Sequence, residues 1–140
     1  MDRYWADGSQ GDFLRSVGLA DGVSAAGRYL SISGQVGQAP DGTIAEGLRD
    51  QAFQAMTNIK ALVEQAGGSM SEIVNLNCLL SQSTTDQKRN WWGILTDVLA
   101  EFMPGTQPAC TGYWVSELSS KRHLVELQAT AILGANDAAR

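Results

Sequence analysis

Hydrophobic residues between Ile44 and Ala66 recur every three or four positions. The repeating apolar residues are Leu48, Ala52, Ala55, Met56, Ile59, Val63 and Ala66. This spacing is typical of an α-helix with one buried face, and Gly67-Gly68 provide a left-handed C-terminal stop. The same period over 90–103, followed by Pro104-Gly105, predicts a second helix. The polar stretch 81–87 before it predicts a loop.

Four segments show the patterns of β-strands. Residues 28–33 alternate in polarity, and residues 73–80 form an apolar run. Segments 109–116 and 123–133 flank the polar stretch 117–122, which predicts a hairpin-like pair. The N-terminal residues 1–13 show no period, and the pattern from 13 to 23 is weak.

With a first strand counted in the weakly patterned segment 13–23, the order of these elements is strand, strand, helix, strand, helix, strand, strand. It predicts an α+β domain in which two helices cover one face of a largely antiparallel sheet. A chain of 140 residues has no third layer for the other face, so we expect an oligomer to cover it. We expect residues 1–17 to be an arm and residues 18–140 to form one domain.

Composition excludes several classes of partner. The formal net charge of −5 argues against nucleic acid, because binding to phosphates requires clustered basic residues. The two basic pairs, Lys88-Arg89 and Lys121-Arg122, are expected on solvated surface. There is no signal-like or membrane-spanning apolar run, and two cysteines make no disulfide framework. We expect a cytoplasmic protein with no membrane partner.

Three blocks of sequence resemble the Rid (YjgF/RidA) family from about Gly18 to Leu133. The first is 27–36, which runs GRYLSISGQV. The second is 51–62, continued by Gly67-Gly68 and Ile73-Val74. The third pairs QPACT at 107–111 with LVELQA at 124–129. Their order and spacing together carry the resemblance.

The resemblance implies a chorismate-mutase-like homotrimer, with two helices on one face of a six-stranded sheet and clefts between subunits. Active relatives hydrolyse imines or enamines to a keto acid and ammonia, without a metal or bound cofactor. An arginine clamps the substrate carboxylate, a task that suits its bidentate geometry, and a glutamate positions or activates water. The expected partners are copies of the chain and a small-molecule substrate.

Some of the family's site residues have a match in this sequence and others do not. Glu126 matches the glutamate, and Ser33-Gly34 match the strand end that lines the cleft, but Cys110 stands at the position of the arginine. Leu19 stands where a tyrosine is usual. The segment 81–93 is longer than is common and brings Trp91-Trp92 near the cleft. The predicted catalytic residues are Cys110 and Glu126, and the predicted substrate-binding residues are Ser33, Gly34, Leu19, Trp92, Thr96, Gly112 and Trp114.

The role of Cys110 has two interpretations. It is a nucleophile if a base or cation activates its thiol, or a small buried hydrophobic residue. His123, the single histidine, is the obvious base. On a regular strand, however, it points away from Glu126, so we expect it at the surface or at an edge. A turn or bulge at the start of the strand would change this orientation, and a neighbouring subunit is another source of a partner for Cys110. Cys78 is expected to be structural.

Glu126 and the tryptophans are also open to two interpretations. Glu126 is a general acid or base if apolar neighbours bury it, or the polar side of a half-exposed strand. Trp91 fits the apolar stripe of the second helix, whereas Trp92 falls off it and is the better candidate for ligand contact. Trp114 shares a strand face with Cys110 and Gly112.

The sequence leaves three possible functions open. The first is a hydrolase or deaminase-like enzyme of altered specificity, with weak or no 2-iminobutanoate deaminase activity. The second is a non-catalytic protein that binds a small metabolite or a partner. The third is a pathway enzyme whose fold has been reassigned to an isomerisation or ring-opening step.

Overall fold

The computed structural model describes residues 1–82 and 90–135. Residues 83–87 of the predicted loop and the pair Lys88-Arg89 lie outside the described residues. The elements in chain order are β1 (Asp2–Tyr4), α1 (Ser9–Ser16), β2 (Gly22–Ser24), β3 (Arg28–Val36), α2 (Gly47–Gln65), a 3-10 turn (Met70–Glu72), β4 (Ile73–Ser81), α3 (Trp91–Phe102), β5 (Ala109–Val115) and β6 (Val125–Leu133).

The two predicted helices pack on one face of a four-stranded sheet, so the α+β class is confirmed. The six stripe residues that lie within α2 are buried, whereas Ala66, the seventh, follows the helix and is half-buried. The helix ends at Gln65, and Gly67, the residue after the C-cap Ala66, has a φ of +82° in the left-handed region. The amide of Gly68 donates to the carbonyl of Val63 at 2.9 Å, which satisfies one of the carbonyls left free at a helix end.

The strand order in this sheet is β3-β6-β4-β5. The hairpin predicted for β5 and β6 is wrong, because β4 lies between them. β4 and β5 pair in parallel, as expected for two strands joined through a helix, here α3. β6 then returns antiparallel to both β4 and β3.

The six strands are divided between two sheets, which corrects the expected single six-stranded sheet. β1 and β2 form a separate antiparallel pair, and α1 is a third helix. These elements are too short to show a period in the sequence. They are tied to the domain: the indole of Trp5 donates to the carbonyl of Leu19 at 2.9 Å, and Arg3 Nε donates to the carbonyl of Thr106 at 2.5 Å.

The four-stranded sheet has one buried face and one open face. Along β6, Val125, Leu127, Ala129, Ala131 and Leu133 are buried beneath the helices. The residues between them point to the other face, where Gln128 is exposed and Glu126 is half-buried. No described element covers this open face. None of the helices in the described segments is long and apolar enough to cross a membrane.

Candidate functional site

Glu126 lies on the open face, directly against Gly34 of β3. A Cβ built on Gly34 would overlap the carboxylate oxygen Oε1 of Glu126, so the carboxylate fills the space of a missing side chain. The register between β3 and β6 shifts here, since Ile32 faces Ala129 whereas Gln35 faces Leu127. Ser33 and Gly34 thus form a β-bulge, a feature that is common beside active sites.

The bulge gives the carboxylate polar surroundings. Ser33 is exposed, and its carbonyl accepts a hydrogen bond from the side-chain amide of Gln35 at 3.0 Å. A half-exposed carboxylate can accept a proton from a water molecule and return it to a leaving group. The predicted neighbours Ser33, Gly34 and Glu126 therefore do lie together.

A groove runs along the free edge of β3, between this strand and α2. Its volume is about 480 Å³. Its lining residues are Leu30, Ser31, Ile32, Ser33, Gln35, Leu62, Gln65 and Ala66. Ser33 and Gln35 join this groove to the bulge, so a molecule bound there would reach the neighbourhood of Glu126.

Cys110 lies near the start of β5 and contacts a second thiol. Its Sγ is 3.6 Å from Sγ of Cys78 on the adjacent strand β4. Cys110 is half-buried, whereas Cys78 has no solvent-exposed surface. The hydrogen bond between the Cys78 and Cys110 thiols, followed by burial, raises the pKa of the Cys78 thiol well above its ordinary value.

An aromatic cluster lies against the predicted substrate-binding residues of β5. A Cβ on Gly112 would lie 2.6 Å from the Trp91 ring, so the indole rests on this glycine. Trp91 meets Trp114 edge-on, with ring centroids 6.0 Å apart. Leu19 is fully buried and lies beside the same strand, because the amide of Ala20 donates to the carbonyl of Pro108.

Trp92 and Thr96 lie further along α3. The Trp92 ring packs against Trp91 at 4.9 Å and against Phe13 at 6.4 Å between centroids. Its indole nitrogen is buried, with no hydrogen-bond partner among the described residues. The Thr96 hydroxyl donates to the carbonyl of Gly93 at 3.2 Å, and Thr96 lines a separate cavity of about 60 Å³.

Comparison with known proteins identifies the family. Residues 17–133 match the family model described as Endoribonuclease L-PSP. The chain is 31% identical over 109 residues to a 2-iminobutanoate/2-iminopropanoate deaminase from Dermatophagoides farinae, covering 76% of this chain and 80% of that protein. It is 34% identical over 119 residues to a RutC family protein from Pyrococcus horikoshii, covering 84% and 89%. The chain belongs to the Rid (YjgF/RidA) family.

Solved structures of the Rid family share the fold. The Rid-family protein YyfB from Yersinia pestis superposes with a TM-score of 0.80 at 25% identity, over 95% of this chain and all of that chain. RidA from a Psychrobacter species gives a TM-score of 0.67 at 27% identity, over 95% and 96%. The Rid fold predicted from the sequence is therefore confirmed.

The two predicted catalytic residues lie on opposite faces of the Rid sheet. Cys110 pairs in register with Leu76. Leu76 belongs to the buried core beneath the helices, and Cys110 packs against this core. Glu126 pairs with Leu79 on the open face. One chain thus brings Glu126 together with Gly34, and Cys110 with the aromatic cluster, but it does not bring these two groups together.

His123 is buried, which corrects its expected place at the surface or an edge. Only 5% of the residue is exposed, and Nδ1 has no partner in the described part of the chain. The reason is Gln51 of α2, whose amide donates to the carbonyl of Arg122 at 2.9 Å and accepts from the amide of Leu124 at 2.7 Å. These bonds hold the segment around His123 against the helix.

Sequence reasoning missed two residues near the candidate groups. Cys78 was expected to be structural, and its contact with Cys110 depends on strand register, which the sequence does not show. Gln51 is only 2% exposed. The feature of the sequence that could have identified it is a polar residue at a position within the apolar stripe of α2. Within segments 1–82 and 90–135, no group of three or more His, Cys, Asp or Glu side chains is placed to hold a metal ion.

Proposed function

We propose that this Rid-family chain hydrolyses imines or enamines in a cleft between the subunits of a homotrimer. Family membership supports this reaction, as do relatives named 2-iminobutanoate/2-iminopropanoate deaminase at about 30% identity. The observation that carries the proposal is the carboxylate of Glu126 seated against Gly34 at the bulge. It supplies a proton acceptor on the open face, where a second chain would complete a cleft.

The proposed chemistry needs one residue that handles protons. Glu126 accepts a proton from water as the water oxygen bonds to the C=N carbon, and the imine nitrogen takes up a proton. Glu126 then passes its proton to the nitrogen of the resulting carbinolamine, and the amine leaves with the electron pair of the C–N bond. The hydroxyl group releases its proton to solvent as the carbonyl group forms. An enamine enters the same sequence after a proton is added to its carbon.

A site that uses both Glu126 and Cys110 must draw on two chains, because one chain places them on opposite sheet faces. We propose that one chain contributes Ser33, Gly34 and Glu126. Its neighbour contributes the start of β5 with Cys110. The free edge of β3 and its groove favour such an arrangement, since an unpaired strand edge is a ready surface for another chain.

The substrate is proposed to lack the usual carboxylate. At the position of the family's arginine this chain is proposed to carry Cys110, beside buried Leu19 and the Trp91 ring over Gly112. A charged hydrogen bond contributes about 1.5–3 kcal/mol, so loss of a guanidinium removes most of the binding of small 2-imino acids. A flat, apolar imine fits these surroundings better.

Kinetics with carboxylate-bearing and carboxylate-free imines, released in situ by oxidases, test this proposal. We expect wild-type protein and Cys110→Ala to turn over 2-iminobutanoate weakly. Cys110→Arg should raise kcat/KM for this imine about tenfold or more, which is the factor that a charged hydrogen bond supplies. Robust wild-type turnover of 2-iminobutanoate, unchanged in Cys110→Ala, would refute the proposed specificity.

A non-catalytic binding protein is the second candidate. The continuous aromatic contacts from Phe13 through Trp92 and Trp91 to Trp114 favour it, because such rings bind flat ligands without chemistry. Alkylation of Cys110 by iodoacetamide across pH separates the two. Reaction with a pKa well below about 8.5 supports a nucleophile, whereas an inert thiol supports the binding protein.

A further inference from the structure

The two cysteines of the chain lie in contact although they are 32 positions apart. Cys110 stands opposite Leu76, and Cys78 stands opposite Gly112, so the thiols are diagonal neighbours on adjacent parallel strands. Both side chains point to the helix side of the sheet, and their sulfur atoms are 3.6 Å apart. A disulfide needs about 2.05 Å between the sulfurs, so closure requires a movement of about 1.5 Å.

We propose that Cys78 and Cys110 form a peroxide-sensitive dithiol that closes reversibly to a disulfide. The Cys110 thiolate attacks one oxygen of a hydroperoxide, which breaks the O–O bond. This gives a sulfenic acid at Cys110 and, with one proton, releases water or an alcohol. The Cys78 sulfur then attacks the sulfenic sulfur. The hydroxide that leaves takes the Cys78 proton and departs as water, so two thiols are oxidised and one peroxide is reduced.

The difference in burial assigns the two roles. Cys110 is half-buried and accessible to a small oxidant, whereas Cys78 has no exposed surface and contacts the Cys110 sulfur. Burial keeps Cys78 protonated and protects it from direct oxidation. Its contact with Cys110 places it where a sulfenic acid would form, so an intramolecular second step competes well with further oxidation.

The position of β5 permits the movement. Among the described strands of the four-stranded sheet, β5 is the outer one and pairs with β4, and a single parallel bridge from Ala20 to Ala109 adds to this at the start of β5. The neighbouring Gly112 has no side chain, so the strand adjusts beneath Trp91 without moving a second residue past the ring. Closure would withdraw the Cys110 thiol from the candidate cleft. That consequence rests on the proposed function, but disulfide formation itself does not.

Intact-protein mass spectrometry on the full chain tests the disulfide. The protein is treated with hydrogen peroxide, unfolded, and alkylated with iodoacetamide. We expect a loss of about 2 Da with no alkyl adduct, and two adducts after dithiothreitol. In Cys78→Ala the disulfide cannot form, and we expect dimedone to trap a sulfenic acid at Cys110. In Cys110→Ala, Cys78 should stay reduced and take one adduct.

Two results would overturn the proposed disulfide. The dithiol would be overturned if peroxide oxidised wild-type Cys110 to sulfenic or sulfinic acid while Cys78 still took an alkyl adduct. In that case the yield of oxidised Cys110 would equal the yield in Cys78→Ala. A disulfide that links two chains on a non-reducing gel would also overturn it. These readouts do not depend on turnover. A protein inactive on every imine could still form the disulfide, and an active one could fail to.

Discussion

Gly34 and Glu126 occupy one small space at the bulge of β3. A side chain at position 34 would overlap the carboxylate. The glycine at this position therefore determines where the charge of Glu126 lies. The resemblance to the Rid family predicted that both residues belong to the cleft. It gave no reason for the glycine, because the reason is a contact between strands whose register cannot be seen in the sequence.

Gly34→Ala tests this contact. The added methyl displaces the end of a flexible side chain, so we expect the free energy of unfolding to change by less than about 1 kcal/mol. The carboxylate would move away from the bulge, and misplacement by about 1 Å can lower turnover about 100-fold. We therefore expect a large loss of imine turnover in a stable protein.

Gly22→Ala is the matched control for this substitution. Its added Cβ would make ordinary contact with Tyr4 at 3.8 Å, in the separate sheet of β1 and β2. Stability and turnover should both remain near wild type. Equal turnover in Gly34→Ala and Gly22→Ala, measured by steady-state kinetics, would show that the position of the Glu126 carboxylate is unimportant.

At the scale of elements, the periods of α2, α3 and the four strands of the main sheet were readable from the sequence. The pairing of those strands was not. The polar stretch 117–122 looked like a hairpin turn, yet it carries the chain past β4 to reach β6. Periodicity reports which residues share a face, whereas strand order depends on the crossover through α3. The β1, β2 and α1 elements were too short to predict.

Gln51 links α2 to the entry of β6, and its removal should be costly. Its side chain bonds to the carbonyls of Ala45 and Arg122 and to the amide of Leu124. Gln51→Ala would leave these partly buried groups without their partner, at about 1–3 kcal/mol for each group that water does not reach. We expect a loss of about 3 kcal/mol in urea-induced unfolding.

Gln54→Ala, one turn further along α2, is the control for Gln51. Gln54 bonds only to the side chain of Asn58 among the described hydrogen bonds, so we expect a loss below about 1 kcal/mol. If both variants unfold at the same urea concentration, Gln51 does not hold the segment around His123.

At the scale of the whole molecule, the open face of the sheet shapes the proposed assembly. Leu79 lies on this face between Glu126 and Tyr113, and 43% of Tyr113 is exposed. An apolar residue in the middle of an uncovered sheet favours burial by another chain. The opposite orientation of Cys110 and Glu126 leads to the same expectation, because only a second chain can join them.

Leu79→Lys should disrupt the assembly. We expect light scattering after size-exclusion chromatography to give wild-type protein three times the 15.0 kDa chain mass. Leu79→Lys should give one chain mass, because a buried lysine charge without a partner is costly. Phe53→Lys, on the helix side and 42% exposed, should keep the wild-type mass. A wild-type monomer, or a trimer that survives Leu79→Lys, would argue against packing through the open face.

The rate of imine hydrolysis in Glu126→Gln is the most direct test of the proposed hydrolase. The variant keeps the size of the side chain and removes the proton acceptor, so kcat/KM for a carboxylate-free aromatic imine should fall at least about 100-fold. Glu117→Gln, in the exposed loop before β6, is the control and should retain wild-type rates. A Glu126→Gln protein that hydrolyses the imine as fast as wild type, or a wild type that accelerates no imine, would contradict the proposed hydrolase.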